Sequence, residues 1–362
     1  MVAETALQTE FEMEQAVASL NALLGIFGRL YMHFTNSVLE TSGPDGEMTV
    51  RHHLRQFGHF RGTEMREAHH AMGKPINMQT ITCFWDNAST YVIHDDMDAG
   101  TYTPSDSAFD VHFCPAAIAW KSAGFHRWGH VYCDEFHQAC ASTYHPDGNV
   151  VIPINMMKGD DHCAFRWIMP ANARQLDLGD PTALGRKLAA TYGQVTAEQG
   201  ALNAMRRTSR LIGGCYLTMV RPLQQRHSPE EAQQILRKFL AAWSRERGEL
   251  MRAGHQERGI AITPANLVRE MDFCAGYIWD MTEEIATDGA YTAVIRDTPF
   301  DQAWADYNLG PEAALFWEVT LPALAEGYDP DLRVEVPRLR QRGDDAMEIR
   351  VTRIDGVLRP SL

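Results

Sequence analysis

Apolar residues recur every three to four positions across residues 9–40, at Met13, Ala16, Leu20, Leu23, Leu24, Phe27, Leu30 and Tyr31. That is the spacing of one buried helix face. The turn-forming run SGPDGE (42–47) follows. A second helix is expected over 48–72, with Leu54, Phe57, Phe60, Met65 and Ala68 inward and Gly73 closing it. Met78 to Trp85 and Thr90 to His94 read as β-like, and the acidic, turn-rich stretch 95–107 reads as a loop. Alternation at Phe109, Val111 and Phe113 predicts a strand leading into Cys114-Pro115, where Pro115 suits the first turn of a short helix to about Ala123. A longer helix is expected from His126 to Thr143. Val150 to Met157 and Cys163 to Met169 then form a hairpin across KGDD (158–161). Residues 171–205 read as mixed helix and linker. Ser228-Pro229-Glu230-Glu231 opens a helix over 229–258, with a serine cap, a first-turn proline and following acids. Helices followed by a hairpin, twice, give an α+β class: two tandem homologous domains, each with helices packed on a small antiparallel sheet.

The tandem reading rests on self-similarity. A shift of 184 positions lays Pro115 on Pro299, Ala119-Trp120 on Ala303-Trp304, Tyr144 on Tyr328, Gly159-Asp160-Asp161 on Gly343-Asp344-Asp345 and Arg166 on Arg350. A shift of 186 lays Arg61-Gly62 on Arg247-Gly248, His69 on His255 and Asp86 on Asp272. The expected organisation is a chemically active repeat over 1–175, a linker over 176–204 and a degenerate structural repeat over 205–362. What differs is the chemistry. Cys114 is matched by Thr298, His130 by Ala314, Cys133 by Trp317, Asp134 by Glu318, His137 by Leu321 and Cys163 by Met347. Thirteen of the 15 histidines also lie before residue 163.

Composition narrows the class. A length of 362 residues suits two domains, each able to bury its own core. The net charge of −14 argues against nucleic acid, which needs a basic face. No apolar run reaches 18 residues, and the acidic N-terminal stretch lacks the pattern of a secretory signal. Seven irregularly spaced cysteines without a CxxC pair read as reduced thiols of a cytoplasmic protein. No phosphate-binding or dinucleotide glycine motif occurs, so no nucleotide cofactor is expected. The expected partner is a small-molecule substrate, with no nucleic acid and no membrane; a homo-oligomer is compatible with the sequence.

Candidate chemistry gathers between Cys114 and Trp167. On the helix 126–143, His126, His130, Cys133 and His137 fall at spacings of four, three and four, which is one stripe. Their counterparts Gly310, Ala314, Trp317 and Leu321 make an apolar, core-facing stripe. A face built for burial thus carries imidazoles and a thiol, and buried polar groups need partners or a purpose. Asp134, four residues after His130, can orient it. Cys83, Cys140 and His69 read instead as packing residues, and the repeated Gly-Asp-Asp as a turn.

The strand ending in Cys114-Pro115, the helix with Cys133-Asp134 and the hairpin ending in Gly159, Asp160, Cys163 and Phe165 together resemble the L-2-amino-thiazoline-4-carboxylic acid hydrolase family. The resemblance covers about 109–168 well and the upstream helices loosely. It implies hydrolytic opening of a small cyclic C–N bond of amide or amidine type, with Cys114, Cys133, Asp134 and Cys163 as the positions that matter. This chain departs from the family in its length, in Ala164 beside the last cysteine, and in its extra histidines. The expected roles are Cys133 as nucleophile, His130 or His137 activating it, Asp134 orienting, and Cys114 as the alternative nucleophile. Cys163, His126 and Trp120 are expected to bind substrate. No cofactor is expected. The alternatives are a cyclic amidohydrolase using zinc or another divalent metal, and a domain that binds a small molecule without turnover. The hairpin end also resembles ligand-binding domains of the vinyl-reductase type.

Overall fold

The structure is a computed structural model that describes residues 12–87, 100–193 and 196–354. Its first ten regular elements are α1 (Met13–Ser42), α2 (Gly46–Ala71), α3 (Met78–Cys83), β1 (Thr101–Tyr102), β2 (Asp106–Val111), α4 (Pro115–Ser122), α5 (His126–Tyr144), β3 (Asn149–Ile154), β4 (Cys163–Ile168) and α6 (Ala183–Ala189). Then come α7 (Ala197–Arg226), α8 (Pro229–Glu257), α9 (Pro264–Arg269), α10 (Ala275–Ile278), β5 (Asp280–Ala286), β6 (Ala290–Asp297), α11 (Pro299–Asp306), α12 (Pro311–Tyr328), β7 (Leu332–Arg338) and β8 (Met347–Arg353). Two antiparallel four-stranded sheets form, in the orders β1-β2-β4-β3 and β5-β6-β8-β7. The fold is α+β, with helices on each sheet, as the pattern predicts. No described helix is long and apolar enough to cross a membrane.

The two sheets share topology and register: Val111 pairs with Cys163, and Ile295, 184 positions on, pairs with Met347. The described chain divides into two compact units at Ala232/Gln233, inside α8. The expected boundary at 205 lies elsewhere. Helix α7 is buried at nearly every position from Thr208 to Leu223 and packs on α1 and α2 of the first unit.

Local expectations differ in two places. Met78–Trp85 holds the helix α3 and no strand, because Asn77 caps it by accepting from Thr80 N at 2.9 Å. That cap overrides the β preference of Thr80, Ile81 and Thr82. The stretch expected to be a loop contains the short strand β1, paired with β2. The strand expected at Thr90–His94 lies outside the described residues.

The first unit is built on helix α2, which packs against α5. Two glycines let their backbones meet. A Cβ on Gly58 would stand 2.6 Å from Phe136 O, and one on Gly62 would stand 2.6 Å from Cys140 O. Between them Arg61 is buried, with Nε donating to Asp86 Oδ2 at 2.8 Å and Nη2 to Oδ1. His69 accepts from Tyr144 Oη at 2.9 Å and donates through Nε2 to Phe84 O at 3.0 Å. It is thus a buried structural group. Equivalent contacts recur in the second unit: Arg247 Nε to Asp272 Oδ2 at 2.9 Å, and His255 Nδ1 with Tyr328 Oη at 2.8 Å.

The units differ where the sequence loses its thiols. Trp317, at the position matching Cys133, is fully buried, and its Nε1 donates to Asp301 Oδ1 at 3.3 Å. Gln341 Nε2 donates to the same oxygen. Burial pushes the Asp301 carboxyl up to about 6, against the two hydrogen bonds. A raised carboxyl holds its proton better folded than unfolded. Its destabilising effect is therefore absent below the ordinary aspartate range and complete above about pH 6. Asp301→Asn keeps the accepting oxygen and removes the charge. It should add up to about 3 kcal/mol of stability at pH 8 and almost none at pH 4, measured by urea denaturation at both values.

Candidate active site

Three elements bring the reactive groups of the first unit together. Cys114 is the N-cap of α4, where its Sγ accepts from Ala117 N at 3.5 Å. The tandem counterpart Thr298 makes the same cap, Oγ1 accepting from Asp301 N at 3.1 Å. Helix α5 supplies Cys133, Phe136 and His137. On the sheet, β2 contributes Phe109 and Val111, and β4 contributes Cys163, Phe165 and Trp167. Alternate residues share one face of a strand, and the register sets Val111 beside Cys163 and Phe109 beside Phe165. These groups line one cavity of about 210 Å³, together with Trp85, Arg61, Trp120, Tyr132, Met156 and Met157.

The wall is mostly aromatic. His137 lies within 5.0 Å of the Phe165 ring and 4.7 Å of the Phe136 ring, and it stacks on Trp85. Its Nδ1 donates to the carbonyl of Cys133 at 2.8 Å, which leaves the Nε2 lone pair free to accept. Burial pushes the imidazole down to about 3, outweighing that hydrogen bond, so the ring is neutral.

The thiols are also held neutral. Burial raises Cys133 far above the ordinary thiol range, and the neighbouring Cys163 and Cys114 add to this; the Asn155 amide opposes it. Cys163 is pushed up to about 11 by burial, although its Sγ accepts from Met156 N at 3.3 Å. Cys114 is raised by burial against the amides at the start of α4. Asn155 is fully buried and caps the 3-10 turn Met156–Lys158, its Oδ1 accepting from Met157 N at 2.8 Å. The matching Leu339 caps nothing with its side chain, yet its backbone N–H bonds Asp344 as that of Asn155 bonds Asp160. The turn thus forms without an asparagine, which is present where Cys133 is.

The structure divides the residues picked from sequence. Cys114, Cys133, Cys163, His137 and Trp120 line the cavity. Trp120 does so as wall, its Nε1 committed to Gly28 O at 2.8 Å. His126, His130 and Asp134 do not line it. His126 is exposed at the first position of α5, and His130 pairs with the exposed Asp134 at 3.1 Å. The stripe is real around the helix but long along it. Seven residues separate His126 from Cys133 and His130 from His137, a rise of roughly 10 Å. Asp134, one residue past Cys133, turns about 100° away. It pairs with His130 as expected, but away from the cavity, and its charge raises the Cys133 thiol. The histidine that shares the cavity with Cys133, His137, is neutral.

Sequence reasoning missed Arg61, Asn155 and the aromatic cage. Arg61 is identical in both halves, which hides its place in a cavity wall, whereas the Asn155–Leu339 difference was a usable signal. Among the described residues no three His, Cys, Asp or Glu side chains come together as ligands for one metal ion, and no step below is routed through a metal.

No curated protein and no solved structure matches the chain. Residues 25–167, which contain every cavity-lining residue but Leu24, match one family model. The model is that of the L-2-amino-thiazoline-4-carboxylic acid hydrolase family, a family named for hydrolysis, to which this segment is similar.

Proposed function

We propose that the first unit hydrolyses a C–N bond within a small ring of amide or amidine type, with Cys133 as nucleophile and His137 as base. The second unit is a structural repeat left by duplication of the same domain. One observation carries the reading: a thiol and a neutral imidazole, four residues apart on α5, face one cavity inside the family-matched segment.

In this scheme the Cys133 thiol attacks the sp² carbon while His137 Nε2 takes its proton. The ring C–N bond breaks as the protonated imidazole returns that proton to the leaving nitrogen. Water, deprotonated by His137, then cleaves the resulting thioester or thioimidate and restores the free thiol. The net change is one water added and one ring opened. Moving a proton from a raised thiol to a lowered imidazole is uphill in the empty cavity. The transfer is therefore coupled to carbon–sulfur bond formation. Cys114 and Cys163 line the wall and stay protonated. Localisation in the cytoplasm and a small-molecule partner fit the reading.

The free enzyme then keeps its reactive form, neutral His137 and protonated Cys133, across the ordinary pH range. The expected kcat/KM is flat between pH 5 and 8. Iodoacetamide labelling of Cys133 at pH 7.5 should run at least about tenfold slower than labelling of free cysteine. An inflection near 6.5 with rapid labelling would remove the coupled transfer. The reading itself is tested by mass spectrometry of cyclic ureas, amidines, imides and thiazolines incubated with the full chain: a product one water heavier is expected, and none with any ring class would sink it. One observation favours a second reading, binding without turnover: burial outweighs every stabilising contact on all three thiols.

A further inference from the structure

The second unit contains a built-in occupant of the space that is open in the first. The Trp317 indole packs on Phe273, Phe300, Trp304 and Phe316, with ring centroids 6.3, 5.6, 5.8 and 5.1 Å away, and bonds Asp301 through Nε1. By the offsets of 186 and 184, the positions matching these five partners are Asn87, Ala116, Trp120, Tyr132 and Ala117, while the position matching Trp279, a further ring 5.7 Å from Trp317, is Ile93, outside the described residues. All five line the cavity of the first unit. There the position of Trp317 is held by Cys133, and two of the bulky partners, Phe300 and Phe273, are reduced to alanine and asparagine. The shared scaffold therefore closes around a flat fused ring in one copy and leaves that place empty in the other.

The charge inside the cavity points the same way. Among the described lining residues Arg61 is the only lysine or arginine, and both its Nε and Nη2 are bound to Asp86. Its guanidinium is further covered by the Trp85 and Phe136 rings, 4.7 and 4.8 Å away. Lys121, which acts on Cys163 from outside the lining, is exposed and donates to Asp160 O at 3.5 Å. The lining thus offers no uncommitted cation to a carboxylate. A volume of about 210 Å³ is also small beside the roughly 300–1,000 Å³ of pockets for drug-sized ligands.

We propose that the ring recognised by the first unit is uncharged, planar and of fused-bicycle size, an aromatic-fused lactam or amidine, and that it lies where Trp317 lies in the second unit. This deepens the ring-opening reading and rests on it for the reaction alone. It departs from the carboxylate-bearing ring in the family's name. The ring stacks within the aromatic wall, with its electrophilic carbon toward Cys133 and a ring N–H or carbonyl toward His137 Nε2 or the amides at the start of α4.

The test is equilibrium binding to the full chain, by calorimetry and by quenching of the wall tryptophans. The paired probes are indole and indole-2-carboxylate, oxindole and its carboxylate, and 2-aminothiazoline-4-carboxylate. The neutral bicycles should bind at least tenfold more tightly than their carboxylates and than the thiazoline acid. Cys133→Trp, which supplies the plug of the second unit, should abolish that binding without lowering the thermal midpoint. Equal or tighter binding of the carboxylates, or no binding of any bicycle, overturns the proposal. Turnover of the thiazoline acid with weak binding of the bicycles would keep the hydrolase and reject this substrate class. Tight binding of the bicycles without any ring opening would keep the class and reject the hydrolase.

Discussion

Cys133→Ala is expected to lower kcat by about 10⁴-fold or more, because removing a nucleophile leaves only the binding and positioning of the remaining groups. The fold should persist. Cys133 is buried among Cys163, Cys114 and Asn155, and loss of one sulfur costs on the order of 1 kcal/mol in a wall that already borders open space. Cys114→Ser is the internal comparison. A serine keeps the N-cap that Thr298 makes in the second unit, so activity should fall far less. Initial rates of ring opening and a denaturation curve for each variant separate the two roles. If Cys133→Ala retains activity within twofold, Cys133 is not the nucleophile.

Asp86→Ala, behind the cavity wall, should be among the most destabilising single changes near it, at about 3–5 kcal/mol, since it leaves the Arg61 guanidinium buried and unpaired. The charge has no easy exit: Arg61 is covered by the rings of Phe57, Trp85 and Phe136. Replacing both partners with apolar residues, Arg61→Met with Asp86→Leu, removes the stranded charge and should cost clearly less than the single change. Urea unfolding of the single and double variants decides it. Equal losses would mean that the pair contributes packing and not charge compensation.

Most of the fold was legible because its periodicities are strong. The apolar spacing of α1 and α2, the Pro at the start of α4, and the Ser228–Glu231 cap all appear where expected. Helix α3 was not legible, because Thr80, Ile81 and Thr82 favour a strand and one capping asparagine decides otherwise. The site was half legible. Periodicity reports the angle of a residue around a helix and says little about where along the axis a cavity ends. Cys133 and His137 were therefore found together with His126 and His130, which lie beyond its edge. Aromatic walls carry no chemical signature in sequence, so Trp85, Phe136 and Trp167 were not picked out as wall residues. The comparison between halves did better than any motif, because residues alike in both, such as Arg61 and Arg247, make the same buried contacts in each.

The glycines at 58 and 62 fix how α5 sits on α2. With the α2 backbone pressed against α5 at Phe136 and Cys140, any axial slip of α5 would drive Phe136 O or Cys140 O into helix α2. Gly248 lies equally close to Leu324 O in the second unit. This close contact works as a notch that sets the position of each helix whatever its front, the face bearing Cys133 and His137 or Trp317 and Leu321, carries. Side chains on the front, whether thiol, imidazole, leucine or indole, can then be exchanged by mutation without resetting the architecture. Such a frame lends itself to laboratory evolution of new specificities, provided the notch is left untouched.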